Sequence, residues 1–207
     1  MLQNISIGLF IDGGYYEKVY LEAQNQGYVL HISKLLKFCV KYLSDFYHLE
    51  EDDCQITEKH YFRGHYNVDD AITYKRLEKD RRFEDTLIEQ DVVFHYKHVQ
   101  CIKNEYGVDV EREKGIDVWF ALETYELSIV RDLDIVVIFT GDGDHEMLLN
   151  KIKALKKKAI LLTWYLSPQT NFSKHLSEDA THHIKLRKLL SENSDYLPFF
   201  EKVRFEH

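Results

Sequence analysis

Proline is scarce in this chain, with two in 207 residues, and there is no low-complexity segment and no internal repeat. That scarcity of breakers argues for one compact domain. Cysteine is scarce as well: Cys39, Cys54 and Cys101 are odd in number and form no CxxC pair. They point to neither a disulfide framework nor a zinc site, and reduced cytoplasmic thiols are the simpler reading. No apolar run approaches the roughly 20 residues needed to cross a bilayer, and MLQNISIGLF has no basic leader. A cytoplasmic protein without membrane association is the expectation. Basic residues are also in deficit, 27 against 35 acidic, for a net charge of −8. A protein that held nucleic acid mainly by neutralising phosphates would carry the opposite sign. Any such contact must use a local basic patch, bound cations, or both. Neither GxxxxGK[ST] nor GxGxxG occurs, which argues against nucleotide-fuelled and dehydrogenase chemistry.

What is present is ordinary soluble-protein composition, 44% hydrophobic and 30% charged, in a length that suits one sizeable core. The aromatic content is high at 14%, but the rings are spread along the chain and support no base-stacking argument by themselves. ISIGLFI and DIVVIFT read as buried strands, with further strands at HYFR, VVFHYKHV and Ala159–Trp164. Helical periodicity falls on Tyr15–Gln26, stopped by Gly27, and on Ile32–Phe46. It recurs over Ala71–Gln90, with Phe83, Leu87 and Ile88 toward the core. In Lys114–Val130 the apolar side is Val118, Ala121, Leu122 and Tyr125. A polar loop is expected at Gly64–Asp70, a turn at Asn104–Gly107, a helix at His145–Lys157 and another near Ile184–Leu190. Alternating strands and helices imply right-handed βαβ units. The fold class is therefore α/β, a single three-layer domain over residues 1–207 with a mainly parallel central sheet. Residues 187–207 form a C-terminal helical extension.

Four acids fall where predicted strands end or helices begin: Asp12 in FIDGG, Asp117 in EKGIDV, and Asp142 and Asp144 in FTGDGDHE. The carboxyl ends of parallel strands are where ligands bind. Carboxylates gathered there repel one another unless a cation intervenes, and hard oxygen donors suit Mg²⁺ or Mn²⁺. Thr140 adds a hydroxyl beside them, while Gly141 and Gly143 permit the tight turn. Asp144 as a helix cap and Asp142 as a turn residue explain the local pattern equally well.

Taken together, FIDGGYYEKVY, EKGIDVWFALE and IVVIFTGDGDHEML resemble the NYN domain, in particular its LabA-like branch within the PIN-like nuclease superfamily. The resemblance extends from about Ile5 to Leu186. It implies a PIN-like fold and a metal-dependent endoribonuclease with Asp12, Asp117, Asp142 and Asp144 as its catalytic, metal-binding acids, Mg²⁺ or Mn²⁺ as cofactor and RNA as substrate. The chain departs from the pattern at Gly14, Tyr15 and Tyr16, where such proteins often have Asn, and at His145, where they often have Phe.

Other features have two readings each. Lys114, three residues before Asp117, either reaches a substrate phosphate or is a solvated lysine. Asn171 and Ser173 in SPQTNFSKHLS are either ligand contacts or helix-capping residues. The lysines from Lys151 to Lys158 fit a solvated helix face better than a phosphate patch, since Leu148, Ile152 and Leu155 supply a core face. Arg63, His65 and Tyr66 border either a cleft or plain solvent. Two further functions compete with the ribonuclease: a small phosphatase or nucleotidase using the same acids, and a non-catalytic RNA-binding or regulatory module of the same fold. A homo-oligomer is compatible with the sequence.

Overall fold

The computed structural model describes residues 4–103, 106, 109–166 and 173–201. Its centre is β1 (Ile5–Asp12), β6 (Ile135–Phe139) and β7 (Lys158–Thr163). They are flanked by β2 (Cys54–His65) and β3 (Val93–His98) on one side and by β8 (His182–Lys185) on the other. The order is β3-β2-β1-β6-β7-β8, and every pairing in this sheet is parallel. Two short strands, β4 (Gln100–Lys103) and β5 (Asp109–Arg112), form a separate antiparallel ribbon that sequence periodicity did not reveal.

All five residues of β6 and five of six in β7 are buried, because helices cover both faces. Alternation along the strands splits the core in two. Ile7, Leu9, Ile11, Ile135, Val137, Phe139, Ile160 and Leu162 join one cluster. Packed into it are α1 (Gly13–Asn25), α2 (Ile32–Tyr47), α4 (Leu77–Glu89) and α8 (Leu186–Glu192). Phe10, Val136, Ile138, Ala159 and Leu161 face the other way, toward α5 (Ile116–Val130), α6 (Glu146–Ala154) and α7 (Lys174–Asp179). The result is a single α/β domain of three layers with a PIN-like architecture. Tyr196 and Phe200, beyond α8, are buried in the first cluster. No helix among the described residues is long and apolar enough to cross a membrane.

Several expectations change. The helix expected over Ala71–Gln90 is two, α3 (Val68–Thr73) and α4, broken where Lys75 adopts φ 55°. Asn67 caps α3, so the helix begins inside the expected polar loop, whose first residues Gly64 and His65 instead extend β2. Ala71 and Leu77 pack with Tyr66 and Val99 in a small third cluster, which the break makes possible. Leu87 is buried, but Ile88 is 72% exposed.

In α5 the buried face is Ile116, Phe120, Thr124 and Ser128, whereas Val118 and Leu122 are each 63% exposed. Of the two small hydroxyl residues against the sheet, Ser128 donates to Thr124 O at 2.6 Å, whereas Thr124 Oγ1 has no hydrogen-bond partner among the described residues. Apolar residues all round the helix left its true inner face unmarked. The start of the segment read as helix at Ile184–Leu190 is strand β8, whose His182 bonds the Tyr42 hydroxyl at 2.8 Å. The expected turn at Asn104–Gly107 lies outside the described residues, apart from Tyr106.

Candidate acidic site at the carboxyl edge of the sheet

From β1 the sheet grows one way through β2 and β3, and from β6 the other way through β7 and β8. The helices after β1 and β6 consequently leave toward opposite faces, α1 to one and α6 to the other. The gap between them is the topological switch point of an open parallel sheet, where ligands bind. Asp12 ends β1, while Thr140 and Asp142 follow β6 directly.

One hydroxyl joins the two sides. Thr140 Oγ1 donates to Asp12 Oδ2 at 2.8 Å and accepts the Asp142 N–H at 3.2 Å. Asp12 Oδ1 accepts the Tyr15 N–H at 3.1 Å, so Asp12 is also the N-cap of α1. Asp142 Oδ1 likewise accepts the Asp144 N–H at 3.0 Å and caps the short 3-10 turn Gly143–His145. The capping reading for the acidic turn therefore describes Asp142 rather than Asp144. Capping and exposure coexist, because each carboxylate has about four acceptor positions and these bonds use only some of them.

Asp117 stands in the first turn of α5, after Gly115 at φ 78°. Its carboxyl is held above the ordinary carboxylate range by partial desolvation, then by the charge of Asp12, with Asp142 and Asp144 adding to the effect and His145 opposing it. The charges of Asp12, Asp142 and Asp144 thus reach Asp117 across the switch point. Sequence reading missed a fifth, Glu113. Partial desolvation raises its pKa, although the residue is exposed, despite a hydrogen bond from the Gly64 N–H and the nearby Arg63, and Asp12 and Asp117 push the same way. A Cβ on Gly64 would lie 2.6 Å from the Glu113 carboxyl carbon, so a larger residue there would displace this side chain.

Tyr15, one of the departures from the resemblance, supports the site from beneath. Its hydroxyl donates to Trp164 O at 2.9 Å and accepts the Trp164 N–H at 3.0 Å, tying α1 to the exit of β7. Its ring fills the space over Gly141, where a Cβ would lie 2.4 Å from a ring carbon. His145, the other departure, is 2% exposed and packs on Phe120 at 4.6 Å, and its Nε2 has no hydrogen-bond partner among the described residues. Ser173 N–H bonds Gly141 O at 3.4 Å, and a Cβ on Gly143 would lie 3.1 Å from the Ser173 Cβ. Lys114 is exposed just before α5, while Asn171 lies outside the described residues. The lysines of 151–158 sit elsewhere: Lys158 opens β7 opposite Ile135, at the amino edge.

Among the described residues no three Asp, Glu, His or Cys side chains lie close enough together to enclose a metal ion by themselves. Mg²⁺ or Mn²⁺ would make a smaller demand on the protein. Such ions are held by one or two carboxylates and complete their shells with water and substrate phosphate. An open row of acids is compatible with that, whereas a closed cage of protein ligands is not what this site offers.

The NYN domain family matches residues 6–187 of the chain. No curated protein matches it. The fold is similar to the crystal structure of a protein of unknown function from Vibrio parahaemolyticus, with a TM-score of 0.57 at 17% identity, over 89% of this chain and 94% of that one. With the match spanning every strand of the parallel sheet and all the acids of the switch point, the chain belongs to the NYN domain family of PIN-like nuclease domains.

Proposed function

We propose that the protein is a metal-dependent endoribonuclease, of the LabA-like kind by its sequence resemblance, hydrolysing RNA phosphodiester bonds at the acidic switch point. The observation that carries this reading is the convergence of Asp12 and Asp142, joined through the Thr140 hydroxyl, with Asp144 in the same turn and Asp117 near enough for their charges to reach it. Like charges gathered without a counter-charge are costly unless a cation joins them in the working state.

Asp12, Asp142, Asp144 and Asp117 are the residues that would hold Mg²⁺ or Mn²⁺. When bound, the ion supplies a water of lowered pKa and offsets charge on the scissile phosphate. The protein's own part is positional. Thr140 fixes the spacing of Asp12 and the acidic turn, the Tyr15 N–H orients the Asp12 carboxylate, and the Gly64 N–H does the same for Glu113. Lys114 and Ser173, at the rim, are the proposed substrate contacts, together with Asn171.

A titration of Mg²⁺ and Mn²⁺ with labelled single-stranded RNA, comparing wild type with Asp142→Asn, tests the reading. Metal-dependent cleavage by wild type alone is expected; equal cleavage by both proteins would overturn it. The absence of a three-ligand cluster among the described residues also favours a second reading, an RNA-binding module without catalysis. RNA binding with no cleavage in any divalent metal would select it.

A further inference from the structure

Helix α5 is built inside out. Its face against the sheet includes Thr124 and Ser128, whereas its outer face carries Val118, Leu122 and Ile129, each exposed by about half or more. A helix that formed only the outer layer of a monomer would show the opposite distribution, with hydroxyls in water and apolar residues inward. Val130 adds to the outer face, and Trp119 and Tyr125 beside it are only partly buried.

The spacing along this face is that of a helix-pairing seam. Val118, Leu122, Tyr125 and Ile129 follow one another at intervals of four, three and four residues. Such a row lets two helices interlock, with the side chains of one seated between those of the other. The six apolar side chains together form a patch comparable with the largest on a typical monomer, about 300–600 Å². A stable complex takes roughly 600–1,000 Å² from each partner. The patch reaches that range once its margin of Ala121, Glu126 and Lys97 is counted.

The row is also its own complement. A second copy running antiparallel, about a two-fold axis between Leu122 and Tyr125, sets Leu122 against the partner's Tyr125 and Val118 against the partner's Ile129. Each match then occurs twice, as a two-fold interface requires. The charges agree with this register. Glu126 and Lys97 are exposed, and neither has an ion-pair partner among the described residues. Lys97 Nζ stands over the Trp119 ring, 5.9 Å from its centroid. Trp119 and Glu126 are seven residues apart, two turns, and so share one side of α5. The antiparallel register brings Glu126 to the partner's Trp119, and thereby to the partner's Lys97. A parallel pair would instead set Glu126 against the partner's Glu126.

We propose that the outer face of α5 is the interface of a homodimer. In it α5 packs antiparallel on α5 of a second copy, burying Val118, Leu122, Tyr125 and Ile129, and Glu126 pairs with the partner's Lys97. Asp117 stands about 100° round the helix from Val118, so the acidic row stays open in the dimer. The inference does not depend on the nuclease reading.

Sedimentation equilibrium of the full chain tests it. Wild type should sediment at twice the chain mass. Leu122→Asp, at an exposed position, should weaken dimerisation by about a hundredfold while leaving the circular dichroism spectrum unchanged. Glu126→Lys and Lys97→Glu should each weaken it several-fold, and the double variant should recover most of the loss, because the pair is restored with its signs exchanged. Wild type that stays monomeric at its highest soluble concentration overturns the proposal, as does a dimer that Leu122→Asp leaves intact. A double variant no tighter than the single ones overturns the antiparallel register. Monomeric wild type that cosediments with anionic phospholipid vesicles, and loses them in Leu122→Asp, overturns the dimer and gives the face to a lipid surface.

Discussion

The two edges of the parallel sheet treat charge in opposite ways. At the amino edge acids are matched: Asp134 Oδ2 accepts the Ser6 N–H at 2.9 Å, and Asp132 pairs with Lys157. The Asp132 carboxyl is held below its ordinary range, by its hydrogen bond from Lys157 and then by that lysine's charge. At the carboxyl edge Asp117 is pushed the other way by partial desolvation and by three neighbouring acids. One edge has settled its electrostatics within the folded chain. The other has left them to be completed from outside, which is the usual mark of a site rather than of a scaffold.

The contrast can be broken by experiment. Asp142→Asn and Asp12→Asn should each lower metal-dependent cleavage of single-stranded RNA by at least about a hundredfold while leaving the circular dichroism spectrum unchanged. Next in size is Gly141→Ala. Its Cβ would meet the Tyr15 ring at 2.4 Å, and overpacking of this kind costs about 1–3 kcal/mol, readable as a lower midpoint in urea.

A smaller effect has the opposite sign. In metal-free buffer Asp117→Asn should raise Tm by about a degree or two, since it removes a charge from a repelling row. The pH dependence follows from the raised pKa of Asp117. An acid whose folded pKa is raised contributes stability that is complete below its unfolded pKa, about 4, and is lost as pH rises through the folded value. The gap in Tm between variant and wild type should therefore widen as pH rises from about 4 and then level off. Smallest of all, Lys157→Ala at the amino edge should leave cleavage unchanged and lower Tm only slightly. A large loss of cleavage there would erase the distinction between the edges.

How much of this was legible in the sequence depended on how local each feature was. IVVIF, AILLT and the DGG and GDGD turns were readable because a buried parallel strand is apolar throughout and its acidic exit is contiguous with it. The inner face of α5 was hidden, because Thr124 and Ser128 face the sheet while Val118 and Leu122 face solvent. Strand β8 was hidden because its histidines find partners in Tyr42 and Thr163, on other elements, as well as in Ser177 six residues back. Glu113 needed Gly64 beside it, and the ion-pair cluster on Glu17 needed Arg63, Arg76 and Lys79 brought together from β2 and the α3–α4 region. No short window of sequence holds those partners together.

The double employment of Asp12, as the cap of α1 and as a member of the acidic row, has a consequence for evolution and for mutagenesis alike. Asparagine at this position keeps an oxygen for the Tyr15 N–H, whereas alanine loses both roles at once, with a capping penalty of about 1 kcal/mol. An alanine scan would thus mix folding with chemistry here, and only the isosteric exchange separates them. Capping alone favours Asp, Asn, Ser or Thr at residue 12, so an oxygen-bearing side chain there is not by itself a sign of the proposed chemistry.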